Sequence, residues 1–484
     1  MVRSHQTRLR RLVGTVVLAC LAFAGANATT ASATQAEYDQ GYALGLDAYK
    51  YGLPIVTTNK TFLNQTSINV PDNKGFGPVN HFNPVREFTD PNFESVVAPN
   101  LDTLYSIAWL DLKKEPQVIH VPKVKDRYMV IPLMSPYTED FHNLGTVTKT
   151  KPGDYAVVGP DAKNVKIPKG VAKIKSKYNR VWIIQRTYAD ESDPGDFKAV
   201  HKIQNQTTLT PLSKYGKKGW KPKPPKNPDT TVDNPPLPSG MDFYDTLGKL
   251  LKQYPPPAAD QAELDKLAQI GVGPGKTPST DASLPADTVA GMTAAVTAGP
   301  QSITSDLTTQ YLAGFDAHNG YLTMPTGTYG TDYKLRAMVT QVGLGALTPD
   351  QAIYPIAQVA NNKTPLLGDS KYTLHIPAGQ LPPVKSKGFW SLTMYDLNGF
   401  LVKNPIDRYV INDRSDLHYN SDGSLDLYVQ STQPADPNQA QNWLPSPAGQ
   451  RFRLIWRLYQ TKSDQIQGVL DGSGWKPPVI TPIP

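Results

Sequence analysis

The stretch from Pro99 to Ser106 carries the residues whose types and spacing best suit chemistry. It reads Pro-Asn-Leu-Asp-Thr-Leu-Tyr-Ser, which crowds Asn100, Asp102 and Tyr105 into a turn just before an expected strand. Asn and Asp bond their own backbone and tolerate turn geometry, so one interpretation is an Asx-type turn that starts the strand. The other is a site in which Asp102 acts as a catalytic carboxylate while Asn100 and Tyr105 bind a ligand.

More polar residues follow in the same half of the chain. Arg127 precedes an apolar run, and Glu139 and Asp140 stand close to His142. A carboxylate beside an imidazole can serve as general acid and base, so Glu139 and Asp140 join Asp102 as candidate catalytic residues, and Arg127 is a candidate partner for an anion. The alternative is an exposed turn after Pro136.

A second polar set lies near the C-terminus and contains Arg408, Asn442, Trp443 and Arg457. An arginine fork beside Trp and Asn suits an anionic or sugar ligand. Alternatively, the two arginines pair with nearby aspartates across strands. We expect at least one member of this set to lie near a cavity shared by the N-terminal residues Asn100, Asp102, Tyr105 and Arg127.

None of the familiar catalytic or cofactor motifs is complete in this sequence. The glycine-rich segment 271–277 resembles a phosphate loop, but its glycine spacing is one residue too short and it follows a helix rather than a strand. No Gly-x-Ser-x-Gly elbow occurs, and no two histidines stand at the short spacings of zinc-binding helices. We therefore expect neither a metal nor a cofactor.

The N-terminus has the pattern of a secretory signal. Four arginines precede an apolar run at 12–26, and small residues offer cleavage after Ala28 or Ala33. A lipoprotein-type cleavage at Cys20 is the alternative. The apolar run is too short for a comfortable membrane anchor, and no later segment approaches the roughly 20 apolar residues that a spanning helix needs. We expect a secreted protein, extracellular or at the cell surface, with no membrane span.

The number of cysteines and the distribution of charge further limit the class of protein. Cys20 is the only cysteine, so the chain can form no internal disulfide. The formal charge of +7 includes the four arginines of the signal. Six lysines fall in the Pro-rich stretch 214–226, whereas a nucleic-acid site would interleave its basic residues with aromatics on an ordered face. We expect a solvated linker there and no nucleic-acid partner.

The periodicity indicates a mostly β protein with a helical insert, an α+β multidomain chain. Short β-rich runs fill the first half, helical spacing dominates the middle, and alternation with Asn-Gly and Asp-Gly hairpin turns returns in about the last 115 residues. The predicted divisions are a signal peptide at 1–33, an N-terminal helix plus β-sandwich at 34–212, a Lys/Pro-rich linker at 213–240, a helical segment at 241–320 and a jelly-roll-like domain at 321–484.

Several of these motifs resemble a pair of families, the domains of unknown function numbered 1254 (N-terminal) and 1214 (C-terminal). The residues that carry the resemblance are Tyr51-Gly52-Leu53-Pro54, Pro99-Asn100, Asp102-Thr103-Leu104-Tyr105-Ser106 and Arg127-Tyr128 in the first half, and Tyr329-Gly330, Phe389-Trp390-Ser391-Leu392-Thr393, Asn404-Pro405, Arg408-Tyr409 and Asn442-Trp443-Leu444-Pro445 in the second. The resemblance implies an immunoglobulin-like β-sandwich, a small helical insert and a jelly-roll-like C-terminal domain. It implies no activity. Ser135 departs from the family pattern, which often carries Asp at that place.

Two function classes stay open. The first is a secreted enzyme that acts hydrolytically on an extracellular carbohydrate or other polymer. The second is a non-catalytic ligand-binding protein, lectin-like or structural, because sandwiches and jelly rolls host binding modules as readily as enzymes. In either class we expect a carbohydrate or another small polar ligand. Convergence of the two polar sets in one deep pocket favours the enzyme, and separation on shallow faces favours binding.

Overall fold

The computed structural model describes residues 17–93, 97–193, 195–223 and 225–483, with side chains from Thr34 onward. Of the predicted signal peptide at 1–33, residues 1–16 therefore lie outside the described residues, and for residues 17–33 only the backbone is described. The helices among the described residues are α1 (Val17–Gln65), α2 (Asp196–Gln206), α3 (Met241–Gln253), α4 (Gln261–Leu267), α5 (Ala286–Gly314), α6 (Tyr333–Gly343), α7 (Pro437–Gln441) and α8 (Ile466–Asp471).

The chain divides into two compact units, of which the first is helical and comprises Met1–Gly52 and Pro238–Ser302. Small residues let its helices approach closely: a Cβ added to Gly45 would lie 2.8 Å from the Cβ of Ala295. The hydroxyl of Tyr244 donates to the carbonyls of Gly45 and Met292. The N-terminal helix was predicted to group with the β-sandwich at 34–212, whereas its part up to Gly52 packs with the helical segment.

The second unit, Leu53–Leu237 and Ile303–Pro484, contains two β-sandwiches. The strands of the N-terminal sandwich are β1 (Asn83–Pro84), β2 (Thr103–Asp111), β3 (Gln117–Val121), β4 (Met129–Met134), β5 (Asp140–Gly145), β6 (Gly153–Val158), β7 (Val171–Lys175), β8 (Arg180–Tyr188) and β9 (Thr208–Pro211). They form one sheet in the order β1-β2-β8-β4-β5 and another in the order β7-β6-β3-β9. All pairs are antiparallel except β6 with β7.

The core of the N-terminal sandwich lies between its two sheets. Leu110, Leu133 and Ile183 of the first sheet pack with Ile119 and Val157 of the second. Because side chains alternate along a strand, the opposite face of β2 and β8 points away from this core. That face is buried as well, which explains why the first sheet is apolar on both sides.

The C-terminal sandwich has the strands β10 (Ala352–Ile353), β11 (Ile356–Ala357), β12 (Lys371–Ile376), β13 (Val384–Tyr395), β14 (Val410–Asn412), β15 (Leu425–Gln430), β16 (Trp443–Pro445), β17 (Arg453–Thr461) and β18 (Ile480–Ile483). One sheet runs β10-β17-β13-β14, and the other runs β16-β15-β12-β18. Leu392 and Trp456 of the first sheet pack with Leu374 and Leu427 of the second. The predicted α+β multidomain fold is confirmed.

The two sandwiches meet through aromatic side chains. Tyr128 of the N-terminal sandwich packs edge-on against Phe389 and Tyr459 of the C-terminal one, with ring centroids 5.7 and 5.5 Å apart. The loop after α6 joins the same interface, because the Gly345 carbonyl accepts a hydrogen bond from Arg186. The two sandwiches are thus parts of one packed unit.

The loop after α6 depends on Gly345, which yields a prediction. Its φ is +79°, a left-handed conformation, and an added Cβ would lie 2.7 Å from Cδ1 of Ile184. We expect Gly345→Ala to lower the free energy of unfolding by about 1 to 3 kcal/mol in denaturant titrations, from backbone strain and overpacking.

Gly343→Ala is the matched control. Gly343 ends α6, and a Cβ there meets nothing within 4 Å. Since alanine is the better helix former, this change should leave stability equal or slightly higher. Equal destabilisation by the two substitutions would contradict the role given to Gly345.

Candidate functional site

The stretch singled out in the sequence forms an Asx turn. Oδ1 of Asn100 accepts hydrogen bonds from the backbone N–H of Asp102 at 2.9 Å, the backbone N–H of Thr103 at 2.8 Å and the hydroxyl of Thr103 at 3.0 Å. The turn delivers the chain into β2, which begins at Thr103. The motif is therefore the Asx turn that was one of its two interpretations. This turn positions the side chains of the residues that follow it.

Asp102 ties the two sandwiches together. Its side chain is fully buried, and it forms an ion pair with Arg414 at 2.7 Å and accepts a hydrogen bond from the hydroxyl of Ser391 at 2.6 Å. Both partners belong to the C-terminal sandwich. Because each carboxylate oxygen already has a partner, this geometry gives Asp102 an interdomain contact rather than an open catalytic position.

A cavity of about 120 Å³ lies between the outer faces of the two sandwiches. The strand register of the antiparallel pair β2 and β8 determines which side chains form one wall of the cavity. In this register Tyr105 stands opposite Arg186, and Ile107 stands opposite Ile184. Strand β17, helix α6 and neighbouring loops complete an apolar lining that includes Trp182, Met324, Val339, Leu344, Ile356 and Ile455. The polar residues on this lining include Asn100, Tyr105, Arg186, Tyr354 and Arg457.

Two arginines on this wall are buried without an acidic partner among the described residues. Arg457, 3% exposed, donates to the hydroxyl of Thr393 at 3.0 Å and to the Ala98 carbonyl at 2.8 Å. Arg186 donates to the Gly345 carbonyl at 2.8 Å. Guanidinium groups stay protonated, and a buried charge without a counter-ion is unfavourable. The cavity wall thus carries two guanidinium groups without a direct ion pair among the described residues, although Asp102 acts electrostatically on Arg457 and Asp140 interacts with Arg186.

The two other candidate catalytic carboxylates lie elsewhere. Glu139 accepts hydrogen bonds from the backbone N–H groups of Tyr329 and Gly330, and it pairs with Arg336 at 2.9 Å. Asp140 is buried, and burial raises its pKa to about 7, against the opposing effects of Asn143 and Arg186. Neither side chain is part of the cavity lining.

Arg127 and Arg408 also hold structural contacts. Arg127 forms an ion pair with Asp196 at 2.7 Å. Arg408 donates to the carbonyls of Gln441 at 3.0 Å and Trp443 at 2.9 Å, rather than pairing with Asp407. Arg408 does border a second, larger cleft of about 980 Å³.

Asn442 and Trp443 fasten the edge of the C-terminal sandwich. Asn442 accepts from the backbone N–H of His418 at 2.9 Å and donates to the carbonyl of His418 at 2.7 Å. The indole of Trp443 donates to the Gln430 carbonyl at 2.7 Å. Of the ten candidate residues, the structure brings Asn100, Tyr105 and Arg457 together on the cavity.

Ser135, the departure from the family pattern, caps a turn. Its hydroxyl accepts from the backbone N–H groups of Tyr137 and Glu139, both at 3.2 Å. An aspartate carboxylate is an equally good acceptor for such a turn. The serine therefore meets a structural need at this position.

Sequence reasoning missed Arg186, Arg414 and Tyr354. Arg186 had a usable signal, because a charged residue inside the apolar run of β8 must be buried if that strand is buried on both faces. Arg414 had none, since it follows Asp413 in an ordinary polar turn whose partner, Asp102, is 312 residues away.

Within the described residues, no cluster of three or more His, Cys, Asp or Glu side chains is arranged to bind a metal ion. Among the described helices, none combines the length and the apolar character that crossing a membrane requires.

The chain matches two protein-family models. Residues 79–211 match the family described as protein of unknown function (DUF1254), and residues 351–463 match the one described as protein of unknown function (DUF1214). The first match covers the N-terminal sandwich and the second covers most of the C-terminal one. The chain therefore carries the pair of families that its motifs resemble, and the resemblance is confirmed.

Two solved structures are similar to this chain, and the first shares its fold. The VPA0106 protein from Vibrio parahaemolyticus superposes with a TM-score of 0.63 at 24% sequence identity, covering 92% of this chain and all of that one. A putative uncharacterized protein from Burkholderia cenocepacia gives a TM-score of 0.40 at 13% identity, covering 93% of this chain and 96% of that one. No curated protein matches the sequence significantly.

Loss of the Asp102 carboxylate should destabilise the second unit. Asp102→Asn keeps the shape but leaves Arg414 buried without its counter-ion, so we expect unfolding to become easier by about 3 to 5 kcal/mol in chemical denaturation. Asp126→Asn is the control, because Asp126 is exposed and Arg127 keeps its closer partner Asp196. A loss below about 1 kcal/mol at Asp102 would show that the ion pair does not hold the sandwiches together.

Asp140 should make stability depend on pH. Its folded-state pKa of about 7 lies above that of an exposed aspartate, so the folded state binds the extra proton and stability falls as pH rises from about 4 through about 7. We expect Asp140→Asn to flatten this part of the profile in thermal melts and to stabilise the protein at pH 8. An unchanged slope, with Asp126→Asn measured alongside, would contradict this assignment.

Proposed function

We propose that this protein is a binding protein for a small molecule that combines an apolar body with an anionic group. The observation that carries the proposal is the pair of buried arginines, Arg186 and Arg457, on the wall of an otherwise apolar cavity. An anion would compensate their charge, and a guanidinium presents donors in a geometry that matches carboxylates. Ligand sites of this kind are mostly apolar with a few convergent polar groups.

The size of the cavity limits the ligand. Its volume of about 120 Å³ is close to the roughly 150 Å³ of an engineered apolar cavity that binds benzene. A ring-sized or short aliphatic carboxylate therefore fits better than a segment of a polymer.

Binding has more support than hydrolysis. General acid–base chemistry needs a carboxylate within hydrogen-bonding reach of the substrate. Asp102, Glu139 and Asp140 are all absent from the cavity lining, and Asp102 and Glu139 already hold ion pairs. The expectation that the protein hydrolyses an extracellular polymer stays a prediction without a catalytic constellation to support it.

A carbohydrate is a second candidate ligand, and the larger cleft is the place that favours it. Phe88, Phe197 and Tyr409 line this cleft together with Asp190 and Arg408. Aromatic faces and charged groups side by side suit a sugar, which has apolar faces and hydroxyl edges. Secretion, proposed from the basic and then apolar N-terminus, would expose either site to extracellular ligands.

Titration calorimetry with benzoate tests the proposal. We expect saturable one-to-one binding that weakens at least tenfold in Val342→Phe, because Val342 lines the cavity and the larger ring fills it. Benzyl alcohol, which lacks the negative charge, should bind more weakly than benzoate.

Val232→Phe is the matched control, since Val232 is 43% exposed and lies outside the cavity lining. It should bind benzoate as the unmodified protein does. Absence of benzoate binding, or binding that survives Val342→Phe, would overturn the proposal.

A further inference from the structure

The hydroxyl of Tyr105 occupies an unusual position on the cavity wall. Tyr105 belongs to β2, faces the cavity and stands opposite Arg186 in the strand register. The guanidinium carbon of Arg186 lies 5.7 Å from the centre of the Tyr105 ring. What this hydroxyl can do for a ligand depends on which way its hydrogen points, and the surrounding hydrogen bonds settle that direction.

The orientation of the Asn100 amide is determined independently of Tyr105. Oδ1 of Asn100 accepts from the backbone of Asp102 and from the backbone and hydroxyl of Thr103. Three donors converge on this atom, so it must be the amide oxygen, and the other terminal atom must be the nitrogen. That Nδ2 atom, which can only donate, contacts the hydroxyl oxygen of Tyr105.

The hydroxyl oxygen of Tyr105 consequently acts as an acceptor. It receives the amide hydrogen of Asn100 and, at 3.2 Å, the backbone N–H of the same residue. A phenolic hydroxyl has one hydrogen to donate, and neither Asn100 group can accept it. No acceptor for this hydrogen is found among the described residues, and Tyr105 is part of the cavity lining.

We propose that Tyr105 is a specificity-determining residue, which donates its hydroxyl hydrogen to the anionic group of the bound ligand. This inference rests on the proposed function and deepens it. Arg186 and Arg457 supply positive charge, which attracts any anion, whereas the tyrosine hydroxyl adds a directed donor that requires an acceptor atom in one place. The Asx turn thus performs two tasks, starting β2 and holding this hydroxyl in the donating state.

Benzoate and toluene distinguish this role from simple packing. Tyr105→Phe removes the donor and keeps the ring, so we expect benzoate to bind about 10-fold to 100-fold more weakly, the range for a hydrogen bond to a charged group. Toluene has the same ring but no acceptor, and its affinity should change less than about threefold. Tyr215→Phe is the control, because Tyr215 donates to Asp154 outside the cavity, and this variant should bind both probes normally.

A second variant tests the direction of the hydrogen bond without removing the hydroxyl. Asn100→Asp keeps the oxygen that forms the turn but replaces Nδ2 with an acceptor, so the Tyr105 hydroxyl should turn toward residue 100. We expect Asn100→Asp to weaken benzoate binding in the unmodified protein. In a protein that already carries Tyr105→Phe, Asn100→Asp should weaken benzoate binding by a smaller factor. A purely electrostatic effect of the new charge would give the same factor in both backgrounds.

The outcomes separate the two proposals. If the unmodified protein binds no benzoate, the proposed function and this inference both fail. If benzoate binds and Val342→Phe abolishes binding while Tyr105→Phe and Asn100→Asp bind it normally, only the role of Tyr105 is overturned. Should Tyr105→Phe fail to fold, the benzoate affinity of Asn100→Asp decides the question.

Discussion

The buried ion pair between Asp102 and Arg414 is the interaction on which the second unit depends. It joins a turn of the N-terminal sandwich to a turn of the C-terminal one, and Ser391 satisfies the remaining carboxylate oxygen. Buried pairs contribute little when both charges are present, but the loss of one partner leaves an uncompensated charge. This contact links the two sandwiches, whose outer faces line the cavity between them.

Charge is distributed unevenly around this junction. Arg414 has its counter-ion, whereas Arg186 and Arg457 rely on carbonyl and hydroxyl acceptors. Hydrogen bonds to neutral acceptors satisfy the N–H groups without neutralising the guanidinium. The proposed anionic ligand would supply these two guanidinium groups with the kind of counter-ion that Asp102 supplies to Arg414.

Much of the fold followed from local patterns. Short β-rich runs between turn residues identified β2 and β8, which are buried on both faces. Alternation of apolar and polar residues identified β13 and β17. The candidate site was harder to predict from the sequence. Ten polar residues were candidates, and three of them, Asn100, Tyr105 and Arg457, lie together on the cavity. Residue type alone could not select these three, because the same polar residue types stabilise turns and bind ligands.

The sequence by itself determined the strand pattern, the lack of an internal disulfide and the paired family resemblance, and it offered the Asx turn at Asn100 as one of two interpretations. Each of these is encoded by neighbouring residues or by composition. Only the tertiary structure decided that Asp102 has a partner 312 residues away, that Tyr105 faces Arg186 across a strand pair, and that Arg457 shares their cavity. The physical reason is that these contacts arise from the packing of two sheets whose outer faces meet, and local periodicity does not record which faces meet.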